Sequence, residues 1–308
     1  MEEANYPAVA LVACGSAGIA MCSGIAKNRY GINKIIAIDT SERALKACRN
    51  ADQTIWIGNQ MHEKPGSPAQ LREVAGEFRS AIKQALSGMQ VVIIVAGAAG
   101  VAGGTLAPLV AEYANRDESV VLALVSWPFA FEERQGHRQA LITVGELLAH
   151  ANSVLPLHEP APDADKSVTT VIAERQTALR HYLWHVCGCL FRPKLADIDF
   201  EEIRSVFTLK RGCHVSHLGW GEASGATRAA LAVAQAMSHP GLLPLDRITP
   251  RSLSVDIRAS RTSLAMKEVA EVMDQILHRL AEEPLTVVFS AGHDEDLGDR
   301  LQVSLIVN

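Results

Sequence analysis

Two small-residue stretches are the first candidates for chemistry. Gly15-Ser16-Ala17-Gly18 follows a short apolar run, Val9–Cys14, and precedes a helical pattern. Small residues there let backbone N–H groups approach a phosphate, and a helix N-terminus adds positive potential. Asp39 ends the next apolar run, 24 residues after Gly15. That is the spacing of a dinucleotide fingerprint with its ribose-binding acid, but Ala17 stands where a strict GxGxxG has its middle glycine. The readings at this turn are a phosphate cradle, an NAD(P) site leaning on Asp39, and a tight strand–helix connection. The second stretch is Ala96–Thr105, in which eight of ten residues are Gly or Ala. Gly97, Ala99, Gly100, Val101, Ala102 and Gly103 either bring backbone close to an anion or only pack closely.

Acids and histidines supply the remaining candidates. Glu132, in Trp127-Pro128-Phe129-Ala130-Phe131-Glu132, is placed to accept from a ribose or to sit in solvent. In Asp197–Arg204, Asp199 and Glu202 are spaced as a helix-capping pair or as two carboxylates that orient water. His181 and His185 are four apart on a helical stretch, and His214 and His217 flank a turn. No third ligand of fitting spacing accompanies either pair, so no metal site is assigned; surface and packing roles are expected. All six cysteines, at 14, 22, 48, 187, 189 and 213, lack a CxxC partner and read as reduced, mostly buried thiols.

These residues need elements to hold them. Val9–Cys14, Lys34–Asp39, Thr54–Gly58, Val91–Ala96, Val120–Ser126 and Ser153–Leu157 read as strands. Helical patterns over 17–30, 71–86, 107–114 and 138–151 lie between them. Strand and helix in alternation predict an α/β fold with an open parallel sheet, whose ligands sit at the strands' C-terminal ends. Glu159–Asp165 is Pro-rich, acidic and linker-like. Residues 167–191 then form one long helical pattern. Beyond it, strands over 251–258, 285–290 and 301–307 and helices over 227–237 and 265–280 suggest a smaller α+β domain. The expected division is 1–166, 167–191 and 192–308.

Composition excludes several classes. The chain has 308 residues with 48% apolar content, enough for a buried core. Its net charge of −5, with no basic block, argues against nucleic acid and against a polybasic membrane patch. No apolar window is long enough to insert in a membrane, and the N-terminal stretch lacks the features of a secretory leader. A cytoplasmic protein is expected.

The motifs, in order, resemble those of the FtsZ/tubulin family, the FtsZ branch in particular. AGVAGGTLAPLVAE, Ala99–Glu112, is similar to its GGGTGTG signature and following helix. WPFAFEE, Trp127–Glu133, resembles KPFNFEG; Asp39-Thr40-Ser41 resembles NTD; TIWIG, Thr54–Gly58, resembles TIQIG. RPKLADIDFEEIR, Arg192–Arg204, is similar to the synergy loop, and GWGEASGATRAA, Gly219–Ala230, to GxGxASGxxRA. Gly298–Asn308 resembles the closing strand.

The resemblance implies a Rossmann-like, GTPase-type parallel sheet, a long central helix and a C-terminal activation domain. It implies GTP or GDP, with Mg, held by Gly15–Gly18, Asp39, Gly97 and Ala99–Gly103. It implies head-to-tail self-association, in which the next subunit supplies Asp199 and Glu202 as catalytic acids. Glu202 stands for the family's aspartate, adding a methylene, and Asp197 replaces an asparagine. The family arginine falls on Gly136, flanked by Arg134 and Arg138; Arg134 is the candidate substitute. The guanine-clasping and guanine-reading positions fall near Ile172 and on Gln176–Thr177. GSAGIA, Gly15–Ala20, departs from GGGGGN, and Val101 and Ala102 replace a glycine and a threonine. A β-branched Val101 is expected to reshape the loop or crowd the phosphates. The expectation is therefore a divergent, FtsZ-like cytoskeletal protein with a degenerate guanine-nucleotide site and weak or absent GTPase activity. The alternative is a nucleotide-independent scaffold or interaction protein that kept the fold. The linker and adaptor peptide of division FtsZ are not expected after Asn308, which fits a divergent FtsZ-like paralogue; a related FtsZ or an adaptor protein is the expected further partner.

Overall fold

Val9–Cys14, Val91–Gly97 and Val120–Ser126 are buried along their whole length, as parallel strands covered on both faces require. The computed structural model describes residues 6–58, 67–114, 118–129, 131–157, 167–191, 200–208, 214–242, 250–280, 284 and 286–308. The chain divides into two units, Met1–Arg180 with Arg211–Val215, and His181–Lys210 with Ser216–Asn308.

The first unit is built on β1 (Val9–Cys14), β2 (Lys34–Asp39), β3 (Gln53–Trp56), β4 (Val91–Gly97), β5 (Val120–Ser126), β6 (Ser153–Leu157) and the short β7 (His214–Val215). Their spatial order is β3-β2-β1-β4-β5-β6-β7, and all pairs are parallel. One face packs on α4 (Pro68–Glu77), α5 (Arg79–Leu86), α6 (Val101–Ala114) and α7 (Arg134–His150), through Val12, Ile38, Ile94, Val125, Leu71, Ile82, Leu106 and Leu147. The strands also contact α1 (Gly15–Cys22) and α3 (Glu42–Ala47). The α/β parallel sheet expected from the alternating pattern is what forms.

Three helical expectations are corrected. The 71–86 pattern is two helices, because Phe78 closes α4 with an N–H to Ala75 O and a ψ of 4°. The 17–30 pattern starts earlier, at Gly15, and stops at Cys22; α2 (Lys27–Tyr30) follows beyond Gly24, whose φ is +77°. The helix expected from Ala107 begins six residues earlier, at Val101. Gly103 and Gly104 lower its intrinsic propensity, but packing overrides this: a Cβ at Gly103 would lie 2.7 Å from Gly97 O, and one at Gly104 2.6 Å from Thr143 Oγ1. Pro108 cannot donate to Gly104 O, and the Thr143 hydroxyl approaches that carbonyl at 3.3 Å.

The long helix α8 (Val168–Phe191) gives its first half to the first unit and its second half to the second. After α9 (Phe200–Phe207), the second unit holds a four-stranded sheet of order β10-β9-β11-β8. Its strands are β8 (His217–Ala223), β9 (Ser252–Ala259), β10 (Thr286–His293) and β11 (Leu301–Val307). Leu253, Val255, Ile257, Val303 and Leu305 form one face, packed with α10 (Arg228–Met237) and α11 (Met266–Leu277). β8 has no counterpart in the apolar-run reading. Gly219 and Gly221 break its pattern because a Cβ at either would collide with the Ala236 or Ala232 carbonyl of α10.

The opposite face of β9 and β11 is polar and buried. Asp256 pairs with Arg258 and accepts from Ser290 Oγ at 2.6 Å. Arg258 also donates to Trp184 O and lies over the Trp184 ring at 4.4 Å. His185, expected at a surface or in packing, is buried, with ring nitrogens 2.8 Å from Ser254 Oγ and Ser304 Oγ. His181 stacks on Trp220 with centroids 4.5 Å apart. Burial lowers the His185 pKa to about 4; Asp256 opposes the shift and Arg258 adds to it. Burial, with Arg258 and His239, lowers His181 to about 3. Cys14, Cys22, Cys48 and Cys187 are buried thiols outside any disulfide, while Cys189 and Cys213 lie where side chains are not described. No described helix is long and apolar enough to cross a membrane.

An unfolded chain protonates these histidines near 6.5, whereas the folded one resists until far lower pH. Stability is therefore full above about pH 6.5 and falls as the pH drops towards 4. Urea midpoints at pH 7 and pH 4.5 should show this loss. His185→Gln, which keeps hydrogen bonds to both serines but does not titrate, should narrow the gap. An unchanged gap would place the pH dependence elsewhere.

Candidate functional site

The sheet parts its connections between β1 and β4. β1 leads through α1 to β2 on one side, and β4 leads through α6 to β5 on the other. A crevice opens at such a reversal, outside the strands' C-terminal ends. Register places Cys14 beside Ala96, with Ile38 on the other side of Cys14 and Ser126 beside Gly97. Gly15 starts α1 directly after β1; Ala98–Gly100 turn into α6 directly after β4. Both helix N-termini therefore arrive at one place.

Their approach is set by missing side chains. Gly15 has a φ of +72°, and a Cβ on it would lie 2.6 Å from Gly103 N. A Cβ on Gly97 would lie 2.8 Å from Ala17 Cβ, and one on Gly18 would run into Val95 O. Gly100, by contrast, faces open space. Gly104 N donates to Gly100 O at 2.7 Å, which starts the helical ladder and leaves the N–H groups of Val101, Ala102 and Gly103 without intrahelical acceptors. Those of Gly15, Ser16 and Ala17 are in the same position in α1, whose N-cap Cys14 makes no side-chain cap. Neither helix has an acid in its first turn. Among the described residues no side chain caps either helix start, and two positive ends are thus paired, an arrangement suited to phosphate oxygens.

Asp39 is drawn inward. It is 1% exposed, accepts from Ser16 Oγ at 2.7 Å and from Ser41 N at 3.0 Å, and ties the first turn of α1 to β2. Burial and the Asp39 charge together push the Cys14 thiol well above the usual range. A ribose reaching Asp39 would have to displace Ser16, which weakens the NAD(P) reading.

The other wall comes from the β5–α7 turn and α8. Glu132 Oε1 accepts from Phe129 N at 2.8 Å. Its Oε2 lies 3.7 Å from the Cβ position of Gly136, which itself lies 3.6 Å from Ala99 Cβ. Arg134 opens α7 and is exposed. Arg175 donates to Trp127 O at 3.0 Å and covers the Phe129 ring at 4.2 Å, pinning the turn to α8; no sequence motif signals it. Gln176 Nε2 donates to Ala20 O at 2.9 Å, joining α8 to α1. Val101 is 39% exposed at the first turn of α6. No preceding turn crowds its branched side chain there, so the helix starts at Val101 and the long loop expected over 96–105 is not formed.

The crevice thus gathers Gly15, Ser16, Ala17, Gly18, Asp39, Gly97, Ala99, Gly100, Val101, Ala102 and Gly103. Gln176, on α8, meets α1 farther along at Ala20, and Glu132 and Arg134 lie at the entry to α7. Asp197 and Asp199 lie outside the described residues. Glu202 is in α9, but its side chain is not among those described.

A sequence model of the Tubulin/FtsZ family GTPase domain matches residues 8–160, and one of the FtsZ family C-terminal domain matches residues 214–308. The cell division protein FtsZ of Buchnera aphidicola (Schizaphis graminum strain) is 28% identical, over 99% of this chain and 80% of its own. An empty FtsZ dimer from M. jannaschii superposes with a TM-score of 0.84 at 25% identity, covering 98% of this chain and 88% of that one. CetZ2 from Haloferax volcanii, solved as a GTPγS-bound protofilament, superposes at 0.77 with 17% identity, over 97% and 92%.

Gly15→Ala should cost about 2 kcal/mol, from left-handed backbone strain and collision with Gly103. Gly100→Ala, facing open space, should change stability by less than about 0.5 kcal/mol. Denaturant unfolding of the two variants checks this; equal effects would contradict the packing described.

Proposed function

Because the chain belongs to the FtsZ/tubulin family of cytoskeletal GTPases, we propose that it self-associates head to tail and holds a guanine nucleotide mainly by its phosphates. The observation that carries this reading is the pairing of two uncapped helix N-termini, α1 and α6, brought together by Gly15 and Gly103. The family's ligand is GTP or GDP with Mg, and the residues here fit its phosphate end. GTP, when bound, supplies the phosphoryl group whose transfer to water is the reaction of this family. The N–H groups of Gly15–Ala17 and Val101–Gly103 hold phosphate oxygens, and their charge-assisted bonds need no particular side chain.

Turnover on this reading is slow. Asp199 and Glu202, contributed by the adjacent copy, would orient water, and the extra methylene of Glu202 moves its carboxylate relative to an aspartate. Small displacements of such a group lower rates steeply. Contacts of this head-to-tail kind are heterologous and build open filaments. The solved relatives include a dimer and a protofilament, which supports self-association. A related FtsZ or an adaptor protein remains the proposed further partner.

A nucleotide-independent scaffold is the second reading. It draws on one observation: Ser16, Asp39, Glu132 and Gln176 all bond within the chain. Calorimetric titration of nucleotide-stripped protein with GTP separates the two, together with sedimentation and phosphate release. The proposal expects micromolar GTP binding and nucleotide-dependent pelleting. It also expects slow phosphate release that Asp199→Ala abolishes while binding persists. Equal pelleting with and without nucleotide, and no heat, would establish the scaffold instead.

A further inference from the structure

We propose that the base end of this site accepts adenine as well as guanine, and that Gln176 is the residue that removes discrimination between them. The inference rests on the nucleotide reading above and specifies its ligand class. The exposed face of α1 carries only small residues, Ser16, Ala17 and Ala20. Ala20 lies about 6 Å along the axis from Ser16, at 1.5 Å per residue. At that point Gln176 Nε2 donates to the Ala20 carbonyl. Ile172, one turn earlier on α8, is 46% exposed. A nucleotide with its phosphates at the first turn of α1, lying along this face, brings its base to Ile172 and Gln176. Ile172 then offers apolar contact to the ring, and Gln176 offers its amide to the ring edge.

The chemistry of that amide decides what is read. Only its NH2 group can donate, so the bond to Ala20 O fixes how the amide is turned. One N–H is committed; among the described residues, Oε1 and the second N–H make no other bond. What remains is one acceptor beside one donor. Adenine answers with its N6–H donor and a ring-nitrogen acceptor. Guanine answers equally with its N1–H donor and O6 acceptor. A carboxylate presents two acceptors, which suit the N1–H and N2–H of guanine and nothing on adenine. The adjacent groups do not restore selectivity. Thr177 Oγ1 donates to Ala173 O at 2.9 Å, and Arg175 is engaged with Trp127 and Phe129.

The test is calorimetric titration of the nucleotide-stripped full chain with GTP and with ATP, each with Mg2+. It is repeated on Gln176→Asp, with circular dichroism as the check on folding. The wild type should bind both purines within about threefold. The aspartate, an acceptor pair too short to crowd Ala20 O, should shift the ratio towards GTP by about tenfold, in line with one bidentate contact. A wild-type preference above tenfold for either purine overturns the proposal while leaving the nucleotide reading intact. A ratio unchanged in a folded Gln176→Asp overturns the role of Gln176. Failure of folded wild type to bind either nucleotide overturns the nucleotide reading and this proposal with it. The wild-type ratio decides alone if the variant does not fold.

Discussion

The backbone of Gly15 rests against the backbone of Gly103 with no room for a methyl group between them. Everything at the crevice follows from that contact. It brings the first turn of α1 beside that of α6, and so places two sets of unsatisfied N–H groups side by side. It also explains why glycine occurs inside α6, where propensity alone disfavours it. Gly97 and Gly18 extend the same rule to the strands below, since each lies where a side chain would strike Ala17 or Val95. The turn is held from beneath by Asp39, through Ser16 and Ser41, and from the side by Gln176 on Ala20.

The electrostatics of this arrangement are mixed. Two helix ends favour an anion, while Asp39 places a buried carboxylate directly behind α1. Its hydrogen bonds come from the Ser16 and Thr40 hydroxyls and the Ser41 backbone N–H and bring no full positive charge. Phosphate binding here therefore depends on the backbone donors outweighing that nearby charge. The second unit solves a different problem. Its sheet packs one face on α10 and α11 with aliphatic side chains, and carries Ser254, Asp256, Arg258 and Ser304 on the other, with His185 completing the polar layer. A buried ion pair such as Asp256–Arg258 is costly to break, because either partner alone would be left charged and unsolvated.

Much of the first unit was legible in the sequence. Continuous runs such as Val91–Ala96 and Val120–Ser126 mark strands covered on both faces, and lean turns after two of them mark the crevice. The limits of α6 were not legible, because Gly103 and Gly104 read as loop until their partners Gly97 and Thr143 are known. β8 was missed for the same reason: its glycines answer to α10, eleven or more residues later in the chain. His185 looked ordinary because its two serine partners lie 69 and 119 residues away. Family motifs pointed to Gln176–Thr177 as the expected base-reading position, but the bond from Gln176 to Ala20 O is a tertiary fact. In these cases a long-range contact overrides a local rule, whereas the breaks within 17–30 and 71–86 are local, at Gly24 and Phe78.

The central claim is that paired helix N-termini, shaped by glycine, form an anion site. The most direct measurement is nuclear magnetic resonance of 15N-glycine-labelled protein, stripped of nucleotide and titrated with GDP. The account predicts that the amide signals of Gly15, Gly18, Gly100 and Gly103 shift together with one saturating curve, while those of Gly219 and Gly221 stay in place. Glycine signals at the crevice that do not move, in a folded sample at millimolar GDP, would contradict it.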